Sequence, residues 1–194
     1  VVRVNASSYF TTYYPAAKRA SDATGVPTLL ILAQSALESG WGKTIPGNMF
    51  FGIKADKGWT GKVQTLWTHE YINGKNTKVQ AKFRAYSSAE ESFKDWANFL
   101  KSNKRYSKVL AAKDTVTAAK AIAAAGYATD PNYANLLIKI AHSLSPSAIP
   151  AAEYAKALAG ATVGSTGGKL GLLAVFLLGG IGVYLSSKGG NLSA

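Results

Sequence analysis

The chain contains no cysteine, so disulfides and thiolate chemistry are excluded and the redox compartment stays open. Histidine is nearly as scarce. His69 and His142 are the two in 194 residues, too few and too far apart for a zinc cluster, and no metal or cofactor is expected. No nucleophile-elbow pattern surrounds any serine, which leaves a Ser-His-Asp triad without a motif. Acidic residues are also in short supply, 10 against 22 lysines and arginines, for a formal net charge of +12. That excess favours a polyanionic partner: nucleic acid, anionic lipid or an anionic cell wall. The basic residues from Lys54 to Lys82 are scattered rather than massed, which reads equally as a solvated basic surface. No nucleic-acid motif accompanies them, and no nucleic-acid partner is expected. The first residues, Val1-Val2-Arg3-Val4-Asn5, lack the apolar run and cleavage site of a signal peptide.

What is present divides the chain into a globular unit and an appendage. Residues 1–144 read as one mainly helical (α+β) domain. The breakers from Ser145 to Pro150 mark its end, and 145–168 is rich in Ala, Gly, Ser and Thr and reads as a flexible linker, with a helix foreseen over Ala151 to Leu158. Residues 169–188 form an apolar segment bracketed by Lys169 and Lys188. Its length suits a short membrane span, with a buried helix in a protein assembly as the rival, and 189–194 is a short tail. Within the domain a first helix is predicted over Ser8 to Thr24. A second, mostly buried, starts near Pro27 and ends at Gly40 and Gly42. From Lys62 to Tyr86 the apolar period changes to two around Asn73-Gly74, which predicts a β-hairpin. Helices resume at Ser87, paired with Glu90 as a capping box, then over Thr115 to Ala125, and again after Asp130-Pro131, a cap followed by a first-turn proline.

The chemistry concentrates at Glu38. It falls in the last turn of an apolar helix, where the helix dipole, the apolar body and a nearby indole all disfavour a negative charge. A carboxyl kept protonated near neutral pH is what a general acid in glycoside cleavage requires. By position alone, an exposed glutamate near a helix end fits as well. Glu70, on the predicted hairpin, is the second carboxyl. A helix end facing a hairpin can place two carboxyls across a sugar-binding cleft, and an exposed strand glutamate is the alternative. Aromatic residues recur from Trp41 to Tyr133; two or three are assigned to a cleft and the rest to the core.

These residues carry a family resemblance. The run Leu32-Ala33-Gln34-Ser35-Ala36-Leu37-Glu38-Ser39-Gly40-Trp41-Gly42 resembles the signature of the glucosaminidase family, glycoside hydrolase family 73. Asn48 with Phe51-Gly52-Ile53-Lys54-Ala55 resembles its next motif, Thr68 to Gly74 its β-lobe motif, and Ala125 to Ala134 its last motif. The four occur in the family's order and span about Ser8 to Leu144. The resemblance implies a lysozyme-like helical domain with a small β-hairpin lobe, and hydrolysis of the β-1,4 bond after N-acetylglucosamine in peptidoglycan glycan strands. It implies Glu38 as the catalytic acid and Glu70 as the β-lobe carboxylate, which either activates water or supports attack by the substrate's own acetamido group. Tyr133 matches the tyrosine turned toward the cleft, and Trp41, Asn48, Phe51, Tyr71 and Tyr127 match substrate-binding positions. The family often has two adjacent asparagines before its Phe-Gly-Ile-Lys run; here Met49 and Phe50 follow Asn48.

The expected function is therefore a peptidoglycan hydrolase. The apolar segment 169–188 points to membrane or virion assembly, giving a phage virion component that acts on the bacterial envelope during entry. The alternatives are a bacterial membrane-anchored autolysin facing the wall, and a catalytically silent glycan-binding structural protein.

Overall fold

The computed structural model describes residues 6–158, apart from 44, 73–74 and 144–149. The order is α1 (Ala6–Thr24), α2 (Thr28–Glu38), β1 (Val63–Ile72), β2 (Lys75–Arg84), α3 (Ala89–Ser102), α4 (Ser107–Ala111), α5 (Thr115–Ala124), α6 (Tyr133–His142) and α7 (Ala151–Leu158). The described part is thus mainly helical with a two-stranded antiparallel sheet, consistent with the lysozyme-like architecture the sequence led us to expect. The C-terminal hydrophobic helix expected over 169–188 lies outside the described residues. Among those that are described, no helix is long and apolar enough to cross a membrane.

The centre is α2. Every residue from Thr28 to Ala36 is buried, as befits a helix apolar on all sides. Against it packs α1, which buries Tyr9, Phe10, Ala16, Ala17, Ala20 and Thr24 at helical spacing. Pro15 interrupts α1 on its exposed side, where water can satisfy the carbonyl left without an N–H partner. Packed chiefly against α1, α3 lays down Ser92, Phe93, Trp96, Ala97 and Leu100, and α5 and α6 close the body around α2. A line of aromatic contacts runs through the body: Tyr13 on Phe50 (ring centroids 4.9 Å apart), Phe50 on Phe93 (5.0 Å), Phe93 on Phe51 (5.3 Å) and Phe51 on Trp96 (4.7 Å, nearly parallel).

The hairpin hangs from this body by backbone bonds to the loop before it. Arg84 N donates to Ile53 O (2.8 Å), Ala55 N to Lys82 O (2.9 Å) and Tyr86 N to Gly47 O (2.8 Å). Gly47 has φ 59°, and a Cβ there would stand 3.0 Å from that of Ala85, so the close approach of loop and strand needs glycine.

Three boundaries differ from the sequence reading or bear on it. The capping box before α3 is shifted by one residue: Ser88 Oγ accepts from Glu91 N (3.2 Å), and Glu91 Oε2 accepts from Ser87 N (2.8 Å). Both Ser87 and Ser88 can cap, but the Glu90 carboxylate is taken by Arg19 of α1 (Nε to Oε1 2.8 Å), which leaves Glu91 to close the box. Asp130 does not cap α6; its Oδ1 accepts from Asn132 N (2.8 Å) in a turn, and the helix starts at Tyr133. The helix foreseen over Ala151 to Leu158 is present as α7. It docks on the body through a hydrogen bond from Tyr14 Oη to Glu153 Oε2, with Tyr154 packed against the core.

Candidate active site

The end of α2 is shaped by a Schellman turn. Trp41 N donates to Ala36 O (2.8 Å) and Gly40 N to Leu37 O (3.4 Å), with Gly40 in the left-handed region at φ 58°. Trp41 also lies there, at φ 63°, which costs free energy for a residue with a Cβ. Its ring offsets that cost by packing edge-on to Tyr9 and Phe10, both centroids 5.7 Å away. Ser39 ties the turn down: its Oγ donates to Ser35 O (2.6 Å) and accepts from Gly42 N (2.9 Å). The chain therefore leaves α2 along a fixed path, and Glu38, the last helical residue, is held at the rim of the body.

Glu38 is half-buried. Its Oε1 accepts from Gln34 Nε2 (3.0 Å), one turn earlier on α2, and from Tyr133 Oη (3.3 Å), the first residue of α6. Burial dominates its protonation and pushes the pKa from 4.5 to about 7; the two donors pull the other way. The geometry also distinguishes the two oxygens. Both donors point at Oε1, so in the neutral acid the proton resides on Oε2.

Behind Glu38 lies a buried phenol pair. Tyr133 and Tyr127 are stacked with centroids 5.9 Å apart, and Trp96 Nε1 donates to Tyr127 Oη (2.9 Å). Desolvation, and then the Glu38 carboxylate, raise both tyrosines well above their usual pKa, with the Gln34 side chain opposing at each, so both stay protonated as donors. Gln34 is fully buried, and its Oε1 has no hydrogen-bond partner among the described residues. Sequence reasoning included Gln34 in the motif without giving it a part in the site. The i, i+4 spacing to Glu38 was the signal available.

The other sequence-derived positions fall as follows. Asn48, at φ 52°, donates from Nδ2 to Tyr86 O (3.1 Å) and so clips the loop to the end of the hairpin. Phe51 (1% exposed) and Tyr127 (2%) lie beneath the surface, in the aromatic line, rather than on it. Glu70 and Tyr71 occupy β1 opposite Thr77 and Asn76. A separate groove of about 390 Å³ runs between Trp59, Lys62, Tyr86 and Asp95. Its carboxylates are already engaged: Asp95 accepts from Arg84 (3.1 Å) and Tyr86 (2.8 Å), and Glu91 caps α3. The arrangement suited to proton transfer is therefore at Glu38.

A protonated Glu38 implies an alkaline limit on activity. Above about pH 7 the acid form should fall tenfold per unit, and any rate that depends on its proton should fall with it. Tyr133→Phe removes a donor that favours the carboxylate, so the alkaline limb should move to higher pH as the maximal rate drops. A pH–rate profile of both forms checks this; an unmoved limb in the variant would show that the hydrogen bond does not reach the titrating proton.

Known proteins share this sequence and fold. The family model Glucosaminidase, described as mannosyl-glycoprotein endo-beta-N-acetylglucosaminidase, matches residues 14–146. Peptidoglycan hydrolase FlgJ of Salmonella typhimurium is 46% identical over 135 residues, covering 66% of this chain and 43% of that protein. Exo-glucosaminidase LytG of Bacillus subtilis is 38% identical over 119 residues, covering 57% and 42%. The chain thus spans less than half the length of these curated relatives. Among solved structures, a C-terminally truncated glycoside hydrolase domain of Salmonella typhimurium FlgJ superposes with TM-score 0.61 at 43% identity, covering 70% of this chain and 95% of that one.

Proposed function

Because this chain belongs to the glucosaminidase family of glycoside hydrolases, we propose that it hydrolyses the β-1,4 bond after N-acetylglucosamine in peptidoglycan. The observation that carries the reading is the Glu38 carboxyl, whose pKa burial raises to about 7 and whose Oε1 is fixed by Gln34 and Tyr133. Glu38 Oε2 gives its proton to the glycosidic oxygen as the C1–O bond breaks. The two donors on Oε1 then stabilise the carboxylate that forms. Glu70, from β1, serves as the second carboxylate in one of two ways. It takes a proton from the attacking water, or it supports the substrate's acetamido oxygen as that atom closes on C1. Tyr133 positions the acid. Trp41, Asn48 and Tyr71 contribute to sugar binding, with Phe51 and Tyr127 supporting the wall from below.

Mass analysis of digested peptidoglycan tests the bond. Reducing N-acetylglucosamine ends are expected; reducing muramic ends would make the enzyme a muramidase, and anhydro-muramic ends a lytic transglycosylase.

For its setting, the apolar segment between Lys169 and Lys188 supports a membrane- or tail-associated virion component acting on the envelope during entry. The FlgJ and LytG relatives come from bacteria, which favours a second reading, a membrane-anchored bacterial hydrolase facing the wall. Recovery of the protein in purified virions, or in the membranes of uninfected cells, separates the two.

A further inference from the structure

The hairpin has two faces of different character. Gln64, Leu66 and Thr68 of β1 and Thr77, Val79, Ala81 and Phe83 of β2 are half-buried. Val63, Thr65 and Trp67, with Lys78, Gln80 and Lys82, alternate with them and are exposed. By the same period of two, position 70, that of the second carboxylate, falls in the register of Leu66 and Thr68, whereas position 71, assigned above to sugar binding, falls in that of Trp67, so the Trp67 face continues along β1 from a sugar-binding position without carrying a catalytic one.

Trp67 is 56% exposed, more than any other large apolar residue among those described. Gln80 stands opposite it, and Lys78 Nζ sits 5.2 Å from its ring centroid. An indole left this open contributes little by burial, yet it offers a flat surface of the kind that lies against the C–H face of a pyranose. Lys78 and Lys82 point to the same side, about 14 Å apart along the strand for a four-residue separation. Between Lys62 and Arg84 five basic residues stand against one acidic residue. Aromatic surface flanked by ammonium groups complements a polymer that alternates sugar rings with carboxylate-bearing peptide stems.

We propose that the outer face of the hairpin, Trp67 between Lys78 and Lys82, is an accessory binding surface for a peptidoglycan strand. It rests on the reading of peptidoglycan as substrate, and it would hold the protein on the insoluble wall between cleavage events without taking part in bond breaking.

Binding is measured by co-sedimentation with purified sacculi, using the full chain carrying Glu38→Gln so that the ligand is not consumed. Trp67→Ala is expected to weaken binding about fivefold, the size of a lost aromatic contact. Lys78→Glu with Lys82→Glu is expected to weaken it at least as much and to flatten its dependence on salt. Trp67→Tyr, which keeps a ring, should restore part of the affinity. In the active chain, Trp67→Ala should raise KM on sacculi while kcat on a short soluble glycan holds. The proposal is overturned if both the Trp67→Ala and the double-lysine variants sediment as the parent does. It is equally overturned if they lose only binding to phosphatidylglycerol vesicles, or only self-association, with sacculus binding unchanged. Thermal unfolding confirms that the variants are folded, and the lysine pair tests the face without touching the packed side of the hairpin. If the active chain released no glycan products, the hydrolase reading would fail while the sedimentation result stood.

Discussion

Replacing Glu38 by glutamine is expected to lower the rate of glycan cleavage by about a thousandfold, within the range that loss of a general acid produces. The amide that replaces the carboxyl keeps an oxygen that can accept from Gln34 Nε2 and Tyr133 Oη, so the local geometry survives. What disappears is the transferable proton. The same substitution should raise stability, and the sign follows from the pKa. Burial places Glu38 at about 7 in the folded chain against 4.5 when exposed. The folded state therefore binds the proton more tightly, and stability is lost as pH rises from about 4.5 through 7. The full penalty is up to about 3 kcal/mol, reached above neutrality. Glutamine removes it. Unfolding midpoints in denaturant should coincide for parent and variant near pH 4.5 and separate by pH 8, with the variant the more stable. An inactive variant whose midpoints tracked the parent at every pH would show that the carboxyl is solvated in the folded state, and the account of how it stays protonated would fail with it.

This trade-off also explains which parts of the site could be read in advance. Glu38 was legible because its setting is local: an apolar helix, an ending signalled by Gly40 and Gly42, and an indole next door. The hairpin was legible for the same reason, since a period of two and an Asn-Gly turn need no tertiary information. Tyr133 lies 95 residues from Glu38, and nothing in spacing joins them; the link came from family resemblance alone. Aromatic positions were the least readable, because a ring that lines a sugar cleft and one that fills a core have the same composition signal. Phe51 and Tyr127 proved to be buried, and the Trp41 ring to lie across Tyr9 and Phe10. The one-residue shift of the capping box has a similar origin. Two serines and two glutamates offer two registers, and what distinguishes them is tertiary: Arg19 of α1 takes the Glu90 carboxylate and leaves Glu91 to close the box.

Trp96→Ala should cost about 3–5 kcal/mol, the usual toll for removing a large buried aromatic. The indole is fully buried, lies parallel to Phe51 at 4.7 Å and donates to Tyr127 Oη, so its loss opens a cavity and strips a buried phenol of its donor at once. A domain of this size has about 5–15 kcal/mol in total, which leaves the variant near the edge of folding at about 37 °C. Trp96→Phe separates the two losses. It keeps most of the ring stack and sacrifices only the N–H, for an expected cost of about 1–3 kcal/mol, the desolvation penalty of the phenol left unpaired. The consequence for function travels along the same contacts. Tyr127 stacks on Tyr133, and Tyr133 holds Oε1 of the acid, so a Tyr127 ring freed to shift should loosen that hydrogen bond. The alkaline limb of the pH–rate profile in Trp96→Phe should then move upward, in the direction expected for Tyr133→Phe but by less. Denaturant unfolding gives the first quantity and the pH profile the second. If Trp96→Phe were destabilised yet kept the parental limb, the aromatic line would be a packing element only, and the position of the acid would depend on Gln34 and the α2 terminus alone.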